Sequence, residues 1–126
     1  MARGRAHVGV ILALEEAGIH ADFVSGVSAG AMVAAAYAAG LDMAELARLA
    51  RQFNWLRFAA PILPLPGRGG LSRLGLLDFS KIETFLIRAM GDLTFDELAK
   101  PLAIGATDLI TGERVVITNG RVAHAV

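Results

Sequence analysis

Along the first half of the chain the spacing of apolar residues changes character twice. From Arg5 to Ala17, Val8, Ile11, Leu12 and Leu14 recur near helical spacing, and Gly18 stands where a helix C-terminal cap belongs. This predicts a first helix. Ala21 to Val24 is a short apolar run with β-favouring residues, leading directly into Gly26-Val27-Ser28-Ala29-Gly30, and it predicts a buried strand. Ala29 to Ala39 is nearly all strong helix former, apolar around most of its circumference, and stops at Gly40, which predicts a central, buried helix. Asp42 can cap a further amphipathic helix with Leu46, Leu49 and Phe53 on one face and Glu45, Arg48 and Arg51 on the other.

Periodicity disappears between Asn54 and Leu77, where Pro61, Pro64, Pro66, Gly67, Gly69 and Gly70 punctuate an apolar and basic stretch; a long loop is expected. Ser80-Lys81-Ile82-Glu83 and Thr94-Phe95-Asp96-Glu97 both fit the capping box, so two more helices follow, the second short. Pro101 to Ala106 and Arg114 to Thr118 read as strands, with Thr111-Gly112 and Asn119-Gly120 as turns. Buried strands alternating with helices point to an α/β layered sheet with helices on its faces. Residues 1–126 read as part of a single domain. The supply of strands is thin and the chain opens directly in a helix, so an incomplete domain, truncated at both ends, is expected.

Composition narrows the function classes. With 55% hydrophobic residues and a formal net charge of zero, the chain is globular and has no basic stripe for nucleic-acid phosphates. The absence of Cys removes disulfides, thiolate metal sites and cysteine nucleophiles, and fits a cytoplasmic location. The basic start at Arg3 and Arg5 suggests a signal peptide, but Glu15 and Glu16 interrupt the apolar run too early. The uncharged stretch from Phe23 to Leu41 has the length of a membrane span, yet Ser25, Gly26 and Ser28 divide it into a strand and a helix.

The residues that can carry chemistry centre on Ser28. A Gly-x-Ser-x-Gly turn between strand and helix forces the serine into a protruding position, with Gly26 and Gly30 avoiding clashes on either side. The backbone N–H of Ala29 and the positive end of the following helix then favour a developing oxyanion. The competing interpretation is a tight turn in which Ser28 merely caps the helix. A Ser28, Asp108, His124 order would imitate a Ser-His-Asp esterase or acyltransferase, but little chain separates these residues to build the strands that position such a triad. Asp108 reads instead as a turn carboxylate accepting local backbone hydrogen bonds. His7 reads as a helix residue packed near the first turn. Gly67-Arg68-Gly69-Gly70 follows no buried strand and makes a poor phosphate cradle.

Three segments, Ala2-Arg3-Gly4-Arg5-Ala6-His7-Val8-Gly9-Val10, Leu14-Glu15-Glu16-Ala17-Gly18-Ile19 and Gly26-Val27-Ser28-Ala29-Gly30-Ala31, resemble in order and spacing the opening of the bacterial patatin-like phospholipase family. Ala106-Thr107-Asp108-Leu109 with Thr111-Gly112-Glu113 resembles the segment shortly before that family's catalytic aspartate. The resemblance covers nearly the whole chain. It implies a lipid acyl hydrolase with a patatin-like fold, a Ser–Asp dyad, an acyl-enzyme on Ser28, no required histidine, and neither metal nor organic cofactor. It also implies oxyanion donors from a Gly-Gly-Gly-x-Arg-Gly run, of which Ala2-Arg3-Gly4 is present here, with Met1 where the last leading glycine would stand. The family's Asp-Gly-Gly or Asp-Gly-Ala motif has no counterpart among these residues. The partner implied is a lipid or acyl ester, and the aromatic and basic loop containing Phe53, Trp55, Arg57 and Phe58 has a composition suited to transient contact with a lipid surface. A non-catalytic α/β interaction module is the alternative outside enzymology.

Overall fold

The computed structural model describes residues 3–52 and 80–126. The first helix, α1 (Arg3–Glu16), is followed by β1 (Val24–Val27), α2 (Ala29–Ala38) and α3 (Met43–Gln52). After the second described segment begins come α4 (Ser80–Met90), a 3₁₀ turn (Phe95–Glu97), β2 (Leu102–Thr107), β3 (Arg114–Ile117) and a short α5 (Val122–Ala125). The loop expected from Asn54 to Leu77, its lipid-surface residues and Phe53 lie outside the described residues.

The strands form one mixed sheet in the order β1-β2-β3. β1 runs parallel to β2, from Val24 opposite Leu102 to Val27 opposite Gly105. β3 returns antiparallel, from Ile117 opposite Ile104 to Arg114 opposite Thr107. The parallel pair requires a crossover, and α2 packs directly against both strands, as an α/β layer demands. α1 lies against α2 and α3, and α4 against α2 and α5.

The alanine richness of α2 explains its place. Ala31, Ala34, Ala35 and Ala38 are all buried, and their small side chains let the helix lie close on the sheet. Ile82 and Leu86 of α4, Phe95, Ile104 of β2 and Val122 complete the core around it. Ile104 and Val122 are the largest fully buried side chains among the described residues, and burial of side chains this size contributes about 1.5–3 kcal/mol each.

Local signals fix the element ends. Gly18, at φ 74°, follows α1 while the Ile19 amide donates to the Leu14 carbonyl, closing the helix with a left-handed residue. Asp42 Oδ1 accepts from the Ala44 amide at 3.1 Å ahead of α3, and Arg48 pairs with Glu45 on its exposed face. At Thr94 the capping box forms, but it opens only a 3₁₀ turn: the Thr94 amide and hydroxyl both donate to Glu97 Oε2, at 2.8 and 3.0 Å. Ser80 is itself the first residue of α4.

One expectation needs correction. The first strand is Val24–Val27 rather than Ala21 to Val24, and it is half exposed rather than buried, with Val27 67% accessible and its neighbour Phe23 56%. Pairing with Leu102–Gly105, and not the local apolar run, decides where the strand lies. The uncharged stretch from Phe23 to Leu41 is divided between β1 and the ten-residue α2, as its serine and glycine punctuation suggests, and among the described residues no helix is long and apolar enough to cross a membrane.

Candidate functional site

The connection from β1 to α2 is a single residue, Ser28. Its backbone has φ 54° and ψ −127°, and it is the one non-glycine residue with positive φ among the described residues. L-residues with a Cβ seldom adopt this conformation, which costs about 1–3 kcal/mol and persists only where the surroundings enforce it. The enforcement comes from Gly26. A Cβ on Gly26 would stand 2.5 Å from the Gly30 carbonyl oxygen and 2.6 Å from the Ala31 backbone, so α2 can rest on β1 only where residue 26 has no side chain. Gly30 is under a looser constraint than expected: a Cβ there would meet only His7 Nε2, at an ordinary 3.8 Å.

The side chain of Ser28 makes no capping hydrogen bond to α2. The first turn is closed by the Ser28 backbone instead, whose carbonyl accepts from Ala31 at 2.8 Å and Met32 at 3.3 Å. Ser28 is exposed, at the N-terminal end of α2 where the Ala29 and Gly30 amides precede the first intrahelical donors. A hydroxyl held in this place meets both the positive end of the helix dipole and two amides able to stabilise negative charge.

Arg3 and Gly4 fall in the first turn of α1. One turn further along, exposed His7 reaches the start of α2, its Nε2 lying over Gly30.

Ser28 opens into a cleft of about 310 Å³. Met32 of α2, Ile82 of α4 and the terminal Val126 supply apolar wall, while Glu83 of α4 and His124 of α5 supply polar groups beside Ser28. His124 Nδ1 stands 3.7 Å from Glu83 Oε1. In the chain His124 lies just past a turn and Glu83 has the position of a capping residue; the fold brings both to the serine's cleft.

Asp108 is not among the residues lining this cleft. Its Oδ1 accepts from the Ile110 amide at 2.7 Å and the Thr111 amide at 3.1 Å, forming the turn carboxylate that the sequence suggests. These backbone donors, Thr111 first and then Ile110, hold its carboxyl below the usual carboxylate range. The Ser28, Asp108, His124 set is therefore not assembled. Among the described residues no three His, Asp or Glu side chains stand close enough to hold a metal ion.

Comparison with known proteins agrees with this geometry. The family model described as patatin-like phospholipase matches residues 1–126. Two uncharacterized NTE family proteins of Mycobacterium bovis are similar over 99% of this chain, one at 32% and one at 33% identity. The alignments take in 20% and 33% of those relatives, so the chain spans a fifth to a third of their length. The lysophospholipase nte1 of Neurospora crassa is 50% identical over 52 residues, 41% of this chain and 3% of that protein. A strained serine between strand and helix, a glycine that admits no side chain beneath it, and a family match across all 126 residues lead to one assignment: the chain belongs to the patatin-like phospholipase family.

Proposed function

We propose that this chain carries the nucleophile of a serine lipid acyl hydrolase, and that the nucleophile is Ser28. The observation that supports it most is the backbone of Ser28 at φ 54°, ψ −127°, with a side chain that caps nothing. A serine serving only to cap α2 would sit in the β region and accept a hydrogen bond from the helix. Here the strain has no local structural return, and strain of this kind is characteristic of sites where it serves a reaction.

In the reaction, Ser28 Oγ attacks the ester carbonyl carbon while its proton passes to a base, which the family resemblance makes an aspartate of an Asp-Gly-Gly or Asp-Gly-Ala segment absent from these 126 residues. The carbonyl oxygen gains the negative charge; the Ala29 amide at the start of α2 is one donor proposed for it, and the family resemblance adds the amides of Arg3-Gly4. Collapse expels the alcohol, which takes the proton, and leaves an acyl ester on Ser28. Water then attacks that ester, regenerating the serine and releasing the fatty acid. Gly26, which has no room for a side chain, keeps the turn open for this geometry. No cofactor enters the scheme, and the substrate class is acyl esters of lipids, met in the cytoplasm.

Replacing Ser28 by Ala in the full protein tests the proposal. Hydrolysis of a long-chain acyl ester should be lost while the melting temperature stays near that of the parent; residual turnover within tenfold of the parent would remove Ser28 from the role.

A further inference from the structure

The Ser28 cleft contains a second polar feature with no part in this scheme, the Glu83–His124 pair. Each side chain is exposed at the cleft, but the backbone beneath it is fixed. Ile82 next to Glu83 is buried, as are Val122 and Ala123 before His124. The start of α5 is pinned as well: the Val122 amide donates to the Leu93 carbonyl at 2.9 Å, and Arg121 is ion-paired with Asp92, its Nε 2.8 Å from Oδ1. The pair thus stands on a fixed stretch of backbone in the serine's cleft, although as an exposed contact at 3.7 Å it adds little to stability.

Its chemistry is selective. Nδ1 is the ring nitrogen 3.7 Å from the Glu83 carboxylate, which leaves Nε2 as the nitrogen open to a ligand. A carboxylate next to an imidazole disfavours phosphate or carboxylate in the same place and favours a neutral hydrogen-bond donor. The apolar wall of Met32, Ile82 and Val126 suits the acyl half of an ester, which leaves the polar pair for the alcohol half.

We infer that Glu83 and His124 form the leaving-group site of this cleft: His124 Nε2 accepts a hydrogen bond from a free hydroxyl on the alcohol half of the ester, and Glu83 orients the imidazole for it. His124 is then a specificity residue and Glu83 a positioning residue. The inference rests on Ser28 being the nucleophile.

The test compares two substrates of the full protein that share one acyl chain, a 1-monoacylglycerol with free hydroxyls and the corresponding ethyl ester with none. In His124→Ala, kcat/KM for the monoacylglycerol should fall about tenfold relative to the ethyl ester, the loss expected for one neutral hydrogen bond. His124→Gln, which keeps an acceptor, should restore most of that ratio, and Glu83→Gln should lower it by about threefold. An unchanged ratio in His124→Ala overturns the site. So does a parallel fall of both esters by a hundredfold or more with the melting temperature intact, because His124 would then be the base for Ser28. Turnover of both esters by Ser28→Ala would instead remove the nucleophile on which the inference depends.

Discussion

Two turns leave the same edge of the sheet, and they are built on opposite principles. β1 and β2 run parallel, with Val27 level with Gly105, so the turn at Ser28 and the turn at Asp108–Gly112 both emerge from carboxyl ends of strands. In the second, every demanding position has its chemical answer. Asp108 accepts from two amides, Thr111 Oγ1 accepts from the Glu113 amide at 3.2 Å, the Asp108 amide donates to Glu113 and the Gly112 amide to Asp108, and the left-handed residue is Gly112. In the first, the residue with positive φ is a serine whose side chain makes no cap to the helix it precedes. Evidently this chain can build a relaxed turn at that edge. That it keeps a strained one at Ser28 is what the proposed nucleophile accounts for and a purely structural turn does not.

The contrast can be broken most severely at Ser28 itself. Ser28→Ala in the full protein should reduce ester hydrolysis by roughly 10³-fold or more, and Ser28→Gly equally, since neither leaves a nucleophile. The two should differ in stability. Glycine adopts φ 54° without penalty, so Ser28→Gly should be about 1 kcal/mol more stable than Ser28→Ala in urea denaturation. Equal midpoints for the two variants would mean that the turn is not strained.

The support beneath the strained turn is the next point of attack. Gly26→Ala drives a methyl group into the Gly30 and Ala31 backbone and should destabilise by roughly 1–3 kcal/mol while shifting the Ala29 amide, so that kcat falls along with the midpoint. Gly30→Ala meets only an imidazole at 3.8 Å and should melt within about 0.5 kcal/mol of the parent. If the two alanine variants behaved alike, the close approach of α2 to β1 would not be what holds the serine in place.

Much of this frame is legible in the chain. α2 is announced by residues that are apolar all round and small, the pattern of a fully buried helix, and the strand signal ahead of it supplies the sheet. The elbow is announced by Gly26-Val27-Ser28-Ala29-Gly30 between a strand signal and a helix signal. Less visible is the register of β1. Gly26 is a poor strand former, so local preference favours ending the strand at Val24, and only pairing with β2 carries it on to Val27. The Glu83–His124 pair could not be read at all. Ser80-x-x-Glu83 has the form of a cap, and nothing near His124 in the chain indicates that α5 folds back against α4 at the serine.

The relaxed turn should show the smallest effects, and a distinctive pH dependence. The Asp108 carboxyl is held below its ordinary range in the folded protein, so it contributes stability above the unfolded value and loses it as pH falls through the folded one. The same sign holds for Glu97, which accepts from Thr94. Asp108→Asn should therefore lower the melting temperature slightly at neutral pH, with the difference from the parent fading in acid below the usual carboxylate range. Ester hydrolysis should stay within about twofold. A large loss of activity in Asp108→Asn would place the base in this turn and erase the distinction between the two.

The central claim, that the chain strains Ser28 in order to make it a nucleophile, is met most directly by covalent labelling. The full protein is treated with a fluorophosphonate ester, digested, and mapped by mass spectrometry, with Ser28→Ala in parallel. One phosphonyl adduct on the peptide containing Ser28, absent from the variant, is the predicted result; no adduct, or one on Ser25 or Ser80 that survives in Ser28→Ala, would contradict it.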